Sequence, residues 1–286
     1  MRYIVAKNSQ EAVALLGEGG EAQLLAGGTD VLVQMKLRGA SPDLLIDIKQ
    51  IDGFSEIVSE GDGWRIGAAV SGAEMGEHSA LKAAWPGVVE AVELIGSTQV
   101  QGRATMVGNL CNGSPAADSV PAMLAAGAVA RVEGPAGTRD VPVADLLAGP
   151  GRTKLGKAEL VSSVLLPARR ARAGDAYLRF IPRTEMDIAV ASAGVNLKLD
   201  ESGVVALATV ALGAVAPTAL LVPEAAAALV GSKLEAGALE ACAAACEAAC
   251  NPIDDKRGTV EFRTKVAGVM ATRAAKIAYT RAGGSL

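Results

Sequence analysis

The sequence predicts an α+β protein in two parts. Residues 1–171 form two α/β subdomains, about 1–53 and 54–171, and residues 172–286 form an α+β unit with a three-stranded sheet carrying helices on one face. Three observations predict this. Strand-like and helix-like periodicities alternate over the first fifty residues, the composition shifts at Phe54 toward short apolar runs between turns, and long strand-like runs give way to long helix-like runs beyond Arg172. With 286 residues, half of them hydrophobic, the chain can fill a sizeable core.

The elements follow in order. Tyr3-Ile4-Val5 reads as a strand, Ser9 to Leu16 as a helix capped by Asn8 or Ser9 with Gly17 beyond its end, and Gln23 to Ala26 as a second strand. After Gly27-Gly28, Thr29 or Asp30 can cap a helical turn over Val31 to Lys36, and Leu44 to Ile48 is the next strand; the whole is a βαβ-type unit. Glu56 to Val58 and Trp64 to Ala68, joined through Gly61-Asp62-Gly63, make a hairpin. Helices are expected at Ser71 to Glu77 and Gly87 to Ile95, a glycine-punctuated loop from Gly96 to Asp118, and strands at Ala128 to Val132, Thr138 to Pro142 and Glu159 to Leu166, the last closed by Pro167. The charged, unpatterned segment from Ala168 to Gly174 is the domain boundary. Strands at 176–181, 188–199 and 204–212 follow, and helices at 223–230, 234–250 and 260–280 finish the chain.

Composition excludes several function classes. Aromatic residues make up 3% of the chain and the net charge is −4, so neither a base-stacking platform nor a basic phosphate-binding face is supplied, and nucleic acid is not an expected partner. No apolar stretch is long enough for a membrane span, and Met1 to Lys7 lacks a signal-type core, which leads to an expected cytoplasmic location. His78, the single histidine, stands in a polar stretch as a loop or helix-end residue, so imidazole-dependent triads and zinc sites are not expected. Cys242, Cys246 and Cys250 share one helical face among alanines and read as buried small hydrophobes rather than metal ligands.

Two glycine-bearing loops carry the chemistry. Leu24-Leu25-Ala26-Gly27-Gly28-Thr29-Asp30 leaves a strand, and Ala104-Thr105-Met106-Val107-Gly108-Asn109-Leu110 runs on to Gly113-Ser114-Pro115-Ala116-Ala117-Asp118. Small residues let backbone N–H groups approach an anion, and the Thr29 and Thr105 hydroxyls can add to them. Neither loop is a Walker A sequence or a G-x-G-x-x-G fingerprint, and either alone reads equally as a turn. Together they suggest a ligand with two phosphates held from both sides.

In these residues the chain resembles the flavoprotein (medium) subunits of the molybdenum hydroxylases, such as carbon monoxide, nicotinate and xanthine dehydrogenases. The resemblance rests on Ala26 to Asp30, Gln99 to Asn109, Ser114 to Asp118, Arg183 to Ala189 and Gly213 to Thr218 in this order. It implies a two-subdomain FAD-binding domain of PCMH type, a flavoprotein C-terminal domain, and non-covalent FAD between them. By position, Leu25, Ala26, Gly27, Gly28, Thr29, Asp30 and Val31 would wrap the pyrophosphate. Thr105, Val107, Gly108 and Asn109 would approach it and the ribityl chain from the other side. Asp118 would bond a sugar hydroxyl or simply cap the following helix. Ile95 and Val161 would make apolar contacts. Arg179 matches a basic position near the cofactor but also suits a strand's polar face, and Ile188 matches a residue near the isoalloxazine ring but suits a core. Val107 departs from the family's glycine: a positive φ there would be costly, whereas a negative φ would turn its side chain away from the phosphates.

The resemblance further implies an oxidoreductase subunit without its own catalytic acid, base or nucleophile. Its partners would be a large subunit with the molybdenum–pterin cofactor and a small subunit with 2Fe-2S clusters, as a dimer of heterotrimers, with electrons passing through FAD to an external acceptor. Two alternatives are a flavin-free assembly module of the same fold, which Val107 favours, and a stand-alone flavin oxidase, for which no well-placed histidine offers covalent attachment.

Overall fold

The computed structural model describes residues 1–39 and 41–286. The first unit comprises β1 (Arg2–Val5), α1 (Ser9–Gly17), β2 (Ala22–Leu25), α2 (Val31–Arg38) and β3 (Leu44–Asp47), whose strands form a parallel sheet in the order β1-β3-β2. The right periodicity and caps are local: Asn8 accepts from the Glu11 amide and starts α1. Asp30 occupies the cap position of α2 but makes no side-chain capping bond, so that expectation holds for the position and not for the interaction.

The second unit contains β4 (Ile57–Glu60), β5 (Gly63–Gly67), α3 (Gly72–Glu77), α4 (Ser79–Ala84), α5 (Pro86–Glu93), α6 (Thr98–Gln101), α7 (Met106–Cys111), α8 (Ser119–Ala126), β6 (Val129–Gly134), β7 (Gly137–Pro142), α9 (Val143–Leu146), β8 (Leu147–Gly149), β9 (Arg152–Thr153) and β10 (Leu160–Leu166). Its main sheet is antiparallel in the order β4-β5-β10-β6-β7. A capping box between Ser71 and Glu74 begins α3. His78 ends α3 and starts α4, its Nδ1 accepting from the Leu81 amide, which fits the helix-end reading. The stretch from Gly96 to Asp118, expected as loop, instead holds the short helices α6 and α7. Thr105 starts α7 by accepting the Gly108 amide through Oγ1 at 2.9 Å.

The third unit is β11 (Ala173–Phe180), β12 (Ala191–Leu199), β13 (Val205–Gly213), β14 (Leu220–Leu221), α10 (Pro223–Leu229), α11 (Ala236–Ala249) and α12 (Val260–Arg281). The three expected strands form an antiparallel sheet, with the two-residue β14 added at one edge. Its own helices cover one face: the cross-strand set Ala176, Val195 and Val210 belongs to the core shared with α12. The opposite set, Tyr177, Gly194 and Ala211, faces the second unit, where α8 and α5 pack. Burial on both faces accounts for the small and apolar residues of β12 from Ala191 to Val195, whereas Asn196 and Lys198 farther along are partly exposed. Cys242 and Cys246 are buried in this core, as their alanine-like setting predicts.

Candidate functional site

A cleft of about 680 Å³ opens where the first and second units meet. That volume lies inside the roughly 300–1,000 Å³ range of small-molecule and cofactor sites. It sits beyond the carboxyl end of β2, the place where open α/β sheets bind ligands. One wall is Ala26, Gly27, Gly28, Thr29, Asp30 and Val31; the facing wall is Thr105, Val107, Gly108 and Asn109, with Ile95 and Val161 on the sides. Twelve of the residues singled out in the sequence therefore converge on one space.

The two loops touch directly, which explains the glycines. A Cβ on Gly27 would lie 1.8 Å from the Arg103 carbonyl oxygen and 2.6 Å from its carbon, so only glycine fits. Gly28 has φ +80°, a conformation that L side chains rarely adopt. Among the described residues, the backbone N–H groups of Ala26, Gly27, Gly28, Thr29 and Asp30 find no acceptor. Five consecutive donors without partners, the first four on half-buried residues and the last on exposed Asp30, form an anion-binding concavity. On the facing wall the Val107 amide, in the first turn of α7, has no intrahelical acceptor, whereas that of Gly108 is taken by Thr105 Oγ1.

Asp30 is the one charged residue among the described lining residues, and burial raises its carboxyl above the ordinary range. The cleft thus offers backbone dipoles rather than lysine or arginine to an anion. A diphosphate fits this donor set, and the apolar flanks Ile95, Val107 and Val161 fit the uncharged parts of a flavin dinucleotide. Val107 is buried within α7 and is not among the residues with positive φ, so it carries no backbone strain.

Four of the residues singled out lie outside the cleft lining. Leu25 ends β2 beneath the loop, its carbonyl accepting from the Ile48 amide. Asp118 makes no capping bond to α8. Instead it joins two units, accepting from Tyr177 Oη at 2.7 Å and from Arg179 Nη1 at 2.6 Å. This corrects the capping alternative: the carboxylate is drawn to stronger, charge-assisted donors on β11. Arg179 is accordingly a buried ion-pair partner and not a solvated strand face. Burial pushes the Asp118 carboxyl up to about 6 against the opposing effects of Arg179 and Tyr177. Ile188 is not a core residue but is 53% exposed in the segment before β12. Beside it, Asp187 is held down at about 2, chiefly by hydrogen bonding from Arg183 and then from Arg257.

Further lining residues escaped the sequence reading. Gln34 stands one helical turn beyond Val31 and donates to Asn112 Oδ1 at 2.7 Å, linking the two walls. The i, i+3 spacing of Val31 and Gln34 was the available signal. Gly151 and Leu155 arrive from a connection after β8 with no local signature.

Comparison with known proteins agrees with this geometry. Residues 1–169 match the family model for the FAD binding domain in molybdopterin dehydrogenase. Residues 176–278 match that for the CO dehydrogenase flavoprotein C-terminal domain. The chain is 36% identical over 280 residues to the carbon monoxide dehydrogenase medium chain of Hydrogenophaga pseudoflava, covering 98% of this chain and 97% of that one. It is 29% identical over 286 residues to the xanthine dehydrogenase FAD-binding subunit of Escherichia coli O157:H7, covering 99% and 98%. A solved structure of carbon monoxide dehydrogenase from Hydrogenophaga pseudoflava, lacking the Mo-pyranopterin moiety of its cofactor, superimposes with a TM-score of 0.94 at 37% identity over 98% of each chain. With its glycine-lined cleft and both family domains in sequence, the chain belongs to the FAD-binding medium subunits of the molybdopterin dehydrogenases, a family of oxidoreductase subunits.

Proposed function

We propose that the cleft holds FAD and that the chain serves as the electron-transfer subunit of a heteromeric molybdenum hydroxylase. The observation that carries the site is the row of unpartnered amides from Ala26 to Asp30 facing α7. These amides would bind the diphosphate, with the Val107 amide and the residues Thr105, Gly108 and Asn109 approaching it and the adjoining ribityl chain from the facing wall, while Ile95 and Val161 exclude water at the flanks. Leu25 and Val31 fix the ends of the first loop. Each Asp118 oxygen keeps acceptor capacity beyond Tyr177 and Arg179, enough for one sugar hydroxyl. Arg179 holds that carboxylate in place, and exposed Ile188 offers an apolar contact to the flavin ring. Once bound, FAD supplies a carrier able to take electrons from iron–sulfur centres and release them to an external acceptor.

The same reading divides the chain into an FAD-binding domain, 1–171 with subdomains 1–53 and 54–171, and a C-terminal domain, 172–286. Its partners are a large molybdopterin-binding subunit and a small 2Fe-2S subunit in a dimer of heterotrimers. A cytoplasmic setting belongs to the proposal and suits the free cysteines Cys111, Cys242, Cys246 and Cys250. Among the described residues no helix is long and apolar enough to cross a membrane. The flavin-free alternative rested on strain at Val107, and the helical backbone there removes that ground. Affinity purification of the tagged chain from its own cells tests the assembly: a molybdenum-containing large chain and a ferredoxin-like small chain are expected in equal amounts. Recovery of the chain with neither would overturn it.

A further inference from the structure

A polar relay crosses the carboxyl end of the first sheet behind the cleft. Tyr3 on β1 donates its hydroxyl to Asp47 Oδ2 at 2.5 Å, and Lys49, two residues beyond Asp47, donates Nζ to the same oxygen at 2.6 Å. The Lys49 amide also donates to Asp47 Oδ1 at 3.0 Å. Lys49 Nζ then reaches the carbonyl oxygen of Ala26 at 3.3 Å. The strand order β1-β3-β2 aligns these groups, and the relay ends on the first peptide of the glycine loop.

That last contact fixes a direction. In a trans peptide the C=O and N–H point to opposite sides, and among the described residues there is no cis peptide bond. The Ala26 carbonyl is turned back toward Lys49, which is not among the cleft-lining residues, so the Gly27 N–H of the same peptide is turned into the cleft. Glycine on one side of this peptide leaves it free to rotate in the absence of a restraint. The reverse orientation would aim a carbonyl oxygen at the ligand's phosphates.

Resting on the reading of this cleft as the FAD site, we propose that Lys49 is a positioning residue that orients the Ala26–Gly27 peptide for diphosphate binding, with Asp47 and Tyr3 holding its ammonium in place. Its charge is compensated locally: the buried Asp47 carboxylate pairs with it at 2.6 Å. The contribution is therefore orientation and not attraction over distance. Burial raises the Asp47 carboxyl, but the hydrogen bonds from Lys49 and Tyr3 outweigh it and keep the group ionised below its ordinary range.

The test is FAD titration of the full chain after flavin removal, followed by flavin fluorescence, alongside the melting temperature of the flavin-free protein. Lys49→Met is expected to weaken FAD binding about tenfold, which is about 1.4 kcal/mol, with the flavin-free melting temperature held within about 2 °C. Lys49→Arg, which keeps a charged donor, is expected to restore affinity to within about threefold of the parent. Lys49→Gln gives the same comparison as Lys49→Met should the latter not fold. Gly27→Ala distinguishes the role of Lys49 from the site itself. If it weakens FAD binding while the Lys49 variants stay within about twofold of the parent, the Lys49 assignment is wrong and the site stands. If Gly27→Ala is also without effect, the site assignment fails. A loss of flavin-free stability in Lys49→Met that matches the loss of affinity and is not rescued by arginine would reduce Lys49 to a general structural residue.

Discussion

Replacing Gly27 with alanine strikes where the two walls of the cleft meet. The new Cβ would stand 1.8 Å from the Arg103 carbonyl oxygen, against a carbon–oxygen contact of about 3.3 Å, so the loops must separate by about 1.5 Å. The obstacle is backbone on both sides, with no flexible side chain to swing aside. The flavin-free chain can open to relieve the clash, but binding one diphosphate between both walls restores it. Overpacking of this kind costs about 1–3 kcal/mol, which in binding is a loss of about 5- to 150-fold. Gly102→Ala is the matched control, since its Cβ would meet only the Gln99 carbonyl oxygen at 3.7 Å, an ordinary contact. Titration of each flavin-free variant with FAD reads the difference. Equal affinities for Gly27→Ala, Gly102→Ala and the parent would refute the claim that this loop contact shapes the site.

Three further outcomes follow from other contacts. Thr105→Ala removes the bond to the Gly108 amide and is expected to cost about 1 kcal/mol, lowering the melting temperature by about 2–4 °C, with Thr105→Ser retaining most of it. Ala214 holds φ +65° while its amide donates to the Pro115 carbonyl, so Ala214→Gly should stabilise the chain by about 1 kcal/mol, read by denaturant midpoint. Asp118 has its carboxyl raised from 3.8 to about 6 in the folded state, so the folded chain binds more protons than the unfolded one between those values. Its contribution is present below about pH 4 and declines as pH rises to about 6, by about 2–3 kcal/mol. Relative to Asp118→Asn, the parent should therefore lose stability over that window; a parent that instead gains on the variant as pH rises would show the ion pair with Arg179 prevailing over burial.

The fold was legible where local chemistry and tertiary structure agree. Asn8 announces α1 by capping, the helix expected from Ser71 to Glu77 begins on a capping box, Gly61-Asp62 turns the β4–β5 hairpin, and the three strands expected beyond Arg172 form one sheet. The helices α6 and α7 were hidden because each is under two turns, lies between glycines, and owes its place to packing rather than to an amphipathic stripe. In the site, Gly27 and Gly28 were visible because backbone approach leaves a residue-type signature. Asp118 was visible as a polar residue but not its partners, because Tyr177 and Arg179 are about sixty positions away on another unit. Lys49 gave no motif at all: its meaning depends on one carbonyl brought near by the strand order.

The cleft is proposed to carry FAD. The direct measurement is the flavin content of the purified full chain, taken from absorbance near about 450 nm with the released cofactor identified as the dinucleotide. One FAD per chain is expected, lost on substitution of Gly28 by valine. A colourless chain that takes up no FAD on reconstitution, or one whose FAD content is indifferent to Gly28→Val, would contradict it.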